Sequence, residues 1–213
     1  MKAVWLIQLL LFSGFLMAQS GPYDRFIPPG YAIMESGIAL GDLNKDGLKD
    51  VALALYHVSG EQNREADSVP PRIMMILVAT PQGFIQALQS RTALLCGDCG
   101  GAFGDPFTGI EILKGVLLLY HYGGSNWRWS YTHRFRFQQG DWYLIGATRQ
   151  VQWIAKECEK LGGFAGTDMK DENFLTGGYR VLRISETCEL LEKKKGRAER
   201  RPLIKLTEFN IDN

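Results

Sequence analysis

Apolar positions along this chain recur mostly at the two-residue spacing of strands, in short blocks cut by Gly, Pro and Asn. Residues 51–56 (VALALY), 73–79 (IMMILVA), 110–122 (IEILKGVLLLYHY) and 202–209 (PLIKLTEF) read as strands on this basis. The sharpest alternation runs from 127 to 137. Trp127, Trp129, Tyr131, His133, Phe135 and Phe137 fall on one face, and Arg128, Ser130, Thr132, Arg134 and Arg136 on the other. The aromatic face is assigned to the core, where each buried ring contributes on the order of 2 kcal/mol, and the second face to water. The alternative for the aromatic row is the lining of a sugar-binding cleft; the strongly polar opposite face favours core. Residues 138–141 then form a turn containing Gly140, and 142–145 return as the second strand of a hairpin.

Helical spacing is scarce. Residues 152–161 (QWIAKECEKL), followed by Gly162 and Gly163 as a stop, are the one short helix predicted. The polar segment 60–71 (GEQNREADSVPP) reads as a surface loop. The pattern therefore predicts a mainly β chain: an antiparallel sheet, or a sandwich or barrel-like arrangement. No repeat at a fixed period divides it, so a single domain over about 19–213 is expected, with a less regular extension from about residue 150.

The first eighteen residues are read as a signal peptide rather than as part of that domain. Lys2 gives the positive start, residues 4–16 are almost wholly apolar, and Ala18 supplies a small residue for cleavage. The run is short for a membrane span, and no later stretch approaches the roughly 18 to 20 apolar residues that one needs. A periplasmic or extracellular protein without a transmembrane segment in its mature chain is the expectation.

Composition adds exclusions. With 46% apolar, 22% charged and 11% aromatic residues in 213, the chain is neither disordered nor fibrous. Loss of residues 1–18 removes one Lys and no acid, which takes the net charge from +1 to zero. No global pull toward nucleic acid exists. Residues 193–201 nevertheless carry +5, and the rest of the mature chain −5. This run is read as a solvated surface segment ahead of an anion-binding patch.

One motif has defined chemistry. In Asp42-Leu43-Asn44-Lys45-Asp46-Gly47-Leu48-Lys49-Asp50, oxygen-bearing side chains stand at the first, third, fifth and ninth positions. Gly occupies the sixth, where a chain wrapped around an ion turns sharply, and Leu48 can offer its carbonyl. Hard oxygen donors in a flexible loop suit calcium. Leu53 replaces the bidentate Glu of an EF-hand, and residues 51–56 read as a strand where an EF-hand has a helix. Residues 41–55 (GDLNKDGLKDVALAL) resemble the calcium loop of FG-GAP or VCBS-type repeats. That resemblance implies a loop between two strands and calcium held by Asp42, Asn44, Asp46, Leu48 (backbone oxygen) and Asp50. It covers some fifteen residues, and its single copy implies no propeller. The run 123–146 is also similar to exported bacterial proteins with one such loop, which implies export and no activity. The alternative is a hairpin loop whose Asp and Asn side chains cap their own backbone. Calcium is favoured on spacing, with weak affinity of roughly 10⁻⁴ to 10⁻³ M.

Four cysteines, Cys96, Cys99, Cys158 and Cys188, fit an oxidising compartment and allow three pairings. Structural disulfides rank ahead of a zinc site and of redox chemistry at Cys96 and Cys99. The Gly-rich stretches 97–107 and 123–126 match no phosphate loop. Asp105, Ser125, Asn126, Trp127 and Arg128 form a candidate ligand rim there, against the plainer reading of turn-building. Catalytic signatures are weak: His57, His121 and His133 occur without HExxH or GxSxG. A glycosidase carboxylate pair such as Asp105 with Glu111 has no support from spacing.

Two functions follow as expectations. One is a non-enzymatic, calcium-binding structural or interaction module of the cell envelope that meets an unidentified protein or envelope glycan. The other is an envelope hydrolase acting on glycan or peptidoglycan through Asp105 with His121 or His133.

Overall fold

A computed structural model describes residues 21–59 and 69–212. The segment read as a signal peptide and most of the 60–71 loop lie outside the described residues. Four strands, β1 (Tyr31–Gly41), β2 (Asp50–His57), β3 (Ile73–Thr80) and β4 (Gly83–Ser90), form one sheet in sequence order. Seven more form the other: β5 (Phe107–Leu113), β6 (Val116–Gly124), β7 (Trp127–Gln138), β8 (Asp141–Cys158), β9 (Gly163–Asn173), β10 (Gly178–Ile184) and β11 (Leu190–Arg197). Every neighbouring pair is antiparallel and adjacent in sequence, so the strands of each sheet follow one another as a meander. The mainly β, single-domain expectation holds.

The main core lies between the sheets. Met34, Ala52, Met74 and Ile76 from the first face Leu117, Leu119, Phe135 and Leu144 from the second. The opposite residues of β2 and β3, including Val51, Leu53, Met75 and Leu77, are also fully buried, packed by Tyr23, Phe26, Ile27 and Phe84. Burial on both faces explains why these two strands read as nearly unbroken apolar runs. The sheets approach one another where β1 passes β5. A side chain at Gly41 would collide with Ile112, and β1 carries an irregularity between Ile33 and Ile38. Gly37 sits in that bulge, where a Cβ would fall 2.7 Å from the Ala54 carbonyl oxygen.

Three local expectations are corrected. The predicted helix at 152–161 is the end of the long strand β8 followed by a 3-10 turn, Glu159–Leu161. Two further 3-10 turns are Asp24–Phe26 and Gly101–Phe103. Trp153 pairs with Trp127 of β7 and Ala165 of β9, and these cross-strand contacts override a ten-residue helix that is marginal alone. Gly162 does stop an element, at φ +66°, but it turns the chain into β9. Second, the region past residue 150 is regular, because β9 to β11 extend the larger sheet. Third, residues 202–209 make only one bridge, Lys205 to Tyr143, while Leu206 and Phe209 plug the core.

The 110–122 run divides into β5 and β6 at Lys114 and Gly115, both with positive φ (53° and 75°). The 127–145 hairpin forms as expected, with Gln138 opposite Asp141 and an irregularity between Arg134 and Phe135. Its aromatic face enters the core at His133 and Phe135, yet Trp127 is 41% exposed, so the row is only partly core. The larger sheet continues beyond the smaller one that would cover it.

Candidate functional site

The loop from Asp42 to Asp50 joins β1 to β2, as its resemblance implied, and its acidic side chains turn inward on their own backbone. Asp42 Oδ1 accepts the amides of Lys45 (2.6 Å) and Asp46 (3.2 Å), and its Oδ2 accepts that of Gly47 (3.0 Å). Asn44 Oδ1 accepts the Asp46 amide at 3.0 Å, while its side-chain amide donates to Asp46 Oδ2 at 2.8 Å. Asp46 Oδ1 accepts the Leu48 amide at 2.8 Å. Gly47, at φ +89°, makes the sharp turn.

Asp50 behaves differently from the other loop acids. It is 0% exposed, with Oδ2 accepting the amides of Leu43 (2.8 Å) and Asn44 (3.3 Å) and Oδ1 accepting that of Ala79 on β3 (2.9 Å). It fastens the loop to the sheet. The carboxylates of Asp42, Asp46 and Asp50 are thus each turned onto backbone amides. These bonds are the backbone-capping arrangement that stands as the alternative to an ion. Asp42, Asn44 and Asp46 retain unused lone pairs, since a carboxylate can accept about four hydrogen bonds. Lys45 and Lys114 line, with Asp42, a cavity of about 320 Å³ beside the loop.

The cysteines resolve into two pairs, Cys96–Cys99 and Cys158–Cys188. The first lies in an exposed turn between β4 and β5. The second ties the end of β8 to the β10–β11 connection, over a small apolar cluster of Ala165, Ile184, Trp153 and Leu182. Cys96, Asp98 and Cys99 also lie close enough together to suggest ligands. With both thiols bonded to one another, that cluster offers no thiolate to a metal.

The candidate rim separates into two places. Asp105 forms a two-point ion pair with Arg72, Nη1 donating to Oδ1 at 2.8 Å and Nη2 to Oδ2, and also accepts the Phe107 amide at 2.9 Å. This pair lines a cavity of about 200 Å³ with Met34, Glu35, Tyr56 and Phe107. Ser125 and Asn126 instead build the β6–β7 turn: the Ser125 amide donates to the Trp127 carbonyl, and the Asn126 carbonyl accepts the Ile154 amide, both at 2.9 Å. Arg128 donates to the Gly124 carbonyl at 2.8 Å and lies over the Phe103 and Tyr122 rings. Trp127 stacks beside Trp153.

His121 is 1% exposed. Its Nε2 accepts the Leu95 amide at 3.4 Å, which leaves the ring proton on Nδ1, a buried atom with no partner. Burial, then the charges of His133 and Arg72, pushes its pKa down to about 3. His133 packs against Phe209, and burial with Arg149 and Arg134 lowers its pKa to about 4. His57 Nδ1 sits 2.7 Å from the Ser59 hydroxyl. Sequence reasoning missed Arg72, because its only signal was an isolated cation before a strand.

Comparison with known proteins finds no family model, no curated protein and no solved structure that matches this chain. Among the described residues no helix is long and apolar enough to cross a membrane.

Proposed function

We propose that the chain is an exported, β-rich interaction module of the cell envelope that acts by binding rather than by turnover. The observation carrying this reading is the state of the acid–base candidates. Both oxygens of Asp105 are engaged by Arg72, and His121 and His133 are buried, with His121 leaving no nitrogen open to solvent. A general base must reach the proton that it moves: the two histidines are buried, and Asp105, though 47% exposed, is held in its ion pair with Arg72. Two disulfides and the apolar segment after Lys2 support export. The test is incubation with peptidoglycan fragments. No products are expected, and turnover by the intact protein overturns the reading in favour of the hydrolase.

Calcium enters this reading as a weak structural ligand of Asp42, Asn44, Asp46 and the Leu48 carbonyl, with Asp50 acting as a fastener in place of the fifth donor. Support comes from the donor spacing and from the wound loop, in which the Asp42 and Asn44 side chains both accept the Asp46 amide. Thermal unfolding in millimolar calcium and then in chelator tests it. At the expected dissociation constant of roughly 10⁻⁴ to 10⁻³ M, calcium at about 10 mM adds roughly 1.4 to 2.7 kcal/mol. Asp46→Ala is expected to abolish the shift; an intact protein that shows no shift removes calcium from the reading.

A further inference from the structure

Strand register brings together, on the outer face of the larger sheet, cations that are far apart in sequence. One row across β7 to β11 reads Arg134, Gly146, Asn173, Gly178 and Arg197. The next places Thr148 opposite Asp171, Asp171 opposite Arg180, and Arg180 opposite Lys195; Lys193 follows in a third. This is the face opposite His133 and Phe135, turned away from the core.

The two faces of β8 to β11 differ in how their charge is compensated. On the inner side, Arg149 and Lys170 meet Glu172, and Arg183 meets Asp168 and Glu192. On the outer side Asp171 is shared between Arg134 at 3.2 Å and Arg180 at 3.6 Å, and Asp141 at the hairpin end is taken by Lys205. Lys193, Lys195 and Arg197 have no carboxylate within ion-pair distance among the described residues. The outer side is therefore net basic.

We propose that this face binds an anionic polysaccharide laid across the strands from β7 to β11. The proposal rests on the interaction-module reading and names the ligand class of that module. Strands spaced about 4.8 Å apart give a track about 19 Å long, with cations at both ends. Its floor is shallow at Gly146 and Gly178, and Asn173 and Gln150 offer amide groups to sugar hydroxyls. The β7 to β11 part of these rows carries no aromatic ring; Tyr120 and Tyr122 on β6 and Tyr143 one row away stand at its margin. Met169 and Leu182 are half-buried and give a bilayer little to bury.

The experiment measures binding of the mature chain to dextran sulfate, with uncharged dextran as control. Binding to the sulfated polymer alone is expected, weakened at least about tenfold between about 50 and 500 mM salt as the Debye length shrinks. The exposed double variant Lys193→Gln, Lys195→Gln is expected to lose about tenfold in affinity at unchanged Tm. Asp171→Asn, which frees Arg134 and Arg180 from their shared acid, is expected to bind more tightly, a gain that mere structural damage does not produce. The inference is overturned by absence of binding at low salt, by affinities unmoved in both variants, or by tighter binding to a single-stranded oligonucleotide or phosphatidylglycerol vesicles. Turnover of peptidoglycan fragments by a chain that still binds dextran sulfate sinks the non-catalytic reading and leaves this face standing.

Discussion

The carboxylate of Asp50, wholly buried at the first position of β2, accepts the amide of Ala79 on β3 at 2.9 Å while its other oxygen holds the amide of Leu43. A residue that spacing nominates as a cation ligand thus joins the loop to the second neighbouring strand. Asp50→Ala leaves buried amides without acceptors, and a loss of about 2 to 4 kcal/mol is expected in urea unfolding. Asp50→Asn keeps one acceptor oxygen and is expected to cost less. Equal stability of Asp50→Ala and the intact protein would remove the fastener role.

His121 and His133 govern the acid side of stability. Their folded pKa values, about 3 and about 4, lie below the unfolded value of 6.5, so the unfolded chain binds more protons in between. Their contribution is fully present above pH about 6.5 and is lost as pH falls toward the folded values, by up to about 1.4 kcal/mol per pH unit for each ring. Unfolding free energies measured between pH 7 and pH 5 are expected to fall, and His121→Gln is expected to flatten the slope. An unchanged slope in that variant counts against a buried neutral imidazole.

Cys158–Cys188 closes a separation of 30 residues. Chain-entropy arguments give about 3 to 4 kcal/mol for such a loop and less for the short Cys96–Cys99 closure. The double variant Cys158→Ser, Cys188→Ser is therefore expected to lower Tm more than Cys96→Ser, Cys99→Ser does, as calorimetry can read. Hydrogen exchange is expected to rise first in β9 and β10, which that bridge braces.

Asp105 is 47% exposed, but its partner Arg72 is only 10% exposed and depends on it. Asp105→Ala is expected to destabilise the fold by about 1 to 3 kcal/mol, because a nearly buried guanidinium loses its counter-charge. Loss of any activity in that variant would therefore be read beside its Tm. Arg72→Met, which removes the buried charge itself, is expected to be milder; a larger loss than in Asp105→Ala would contradict this order.

The mainly β character, the strands near 51–56, 73–79 and 110–122, the 127–145 hairpin and the stop at Gly162 were legible in the sequence, because each depends on side-chain alternation or on backbone freedom within a few residues; the loop between two strands came from its resemblance, and β1, β4 and β9 to β11 were not read. Helix against strand at 152–161 was not legible. There the outcome turns on Trp127 and Ala165, which reach Trp153 only after the sheet has formed. The same holds for the aromatic row. Alternation placed its rings on one face, but how far along β7 the smaller sheet covers them is set by the packing of the two sheets.

The sequence by itself determined the strand-forming pattern, the turn-making glycines and the even cysteine count, all local or compositional properties. Only the tertiary structure decided which cysteines pair, that Asp50 faces Ala79, that Asp105 is held by Arg72, and that Arg134, Arg180 and Lys195 share one face. Those relationships join residues from 15 to 61 positions apart, apart from the short Cys96–Cys99 closure. Proximity across such separations depends on strand register and sheet packing, which no local pattern encodes.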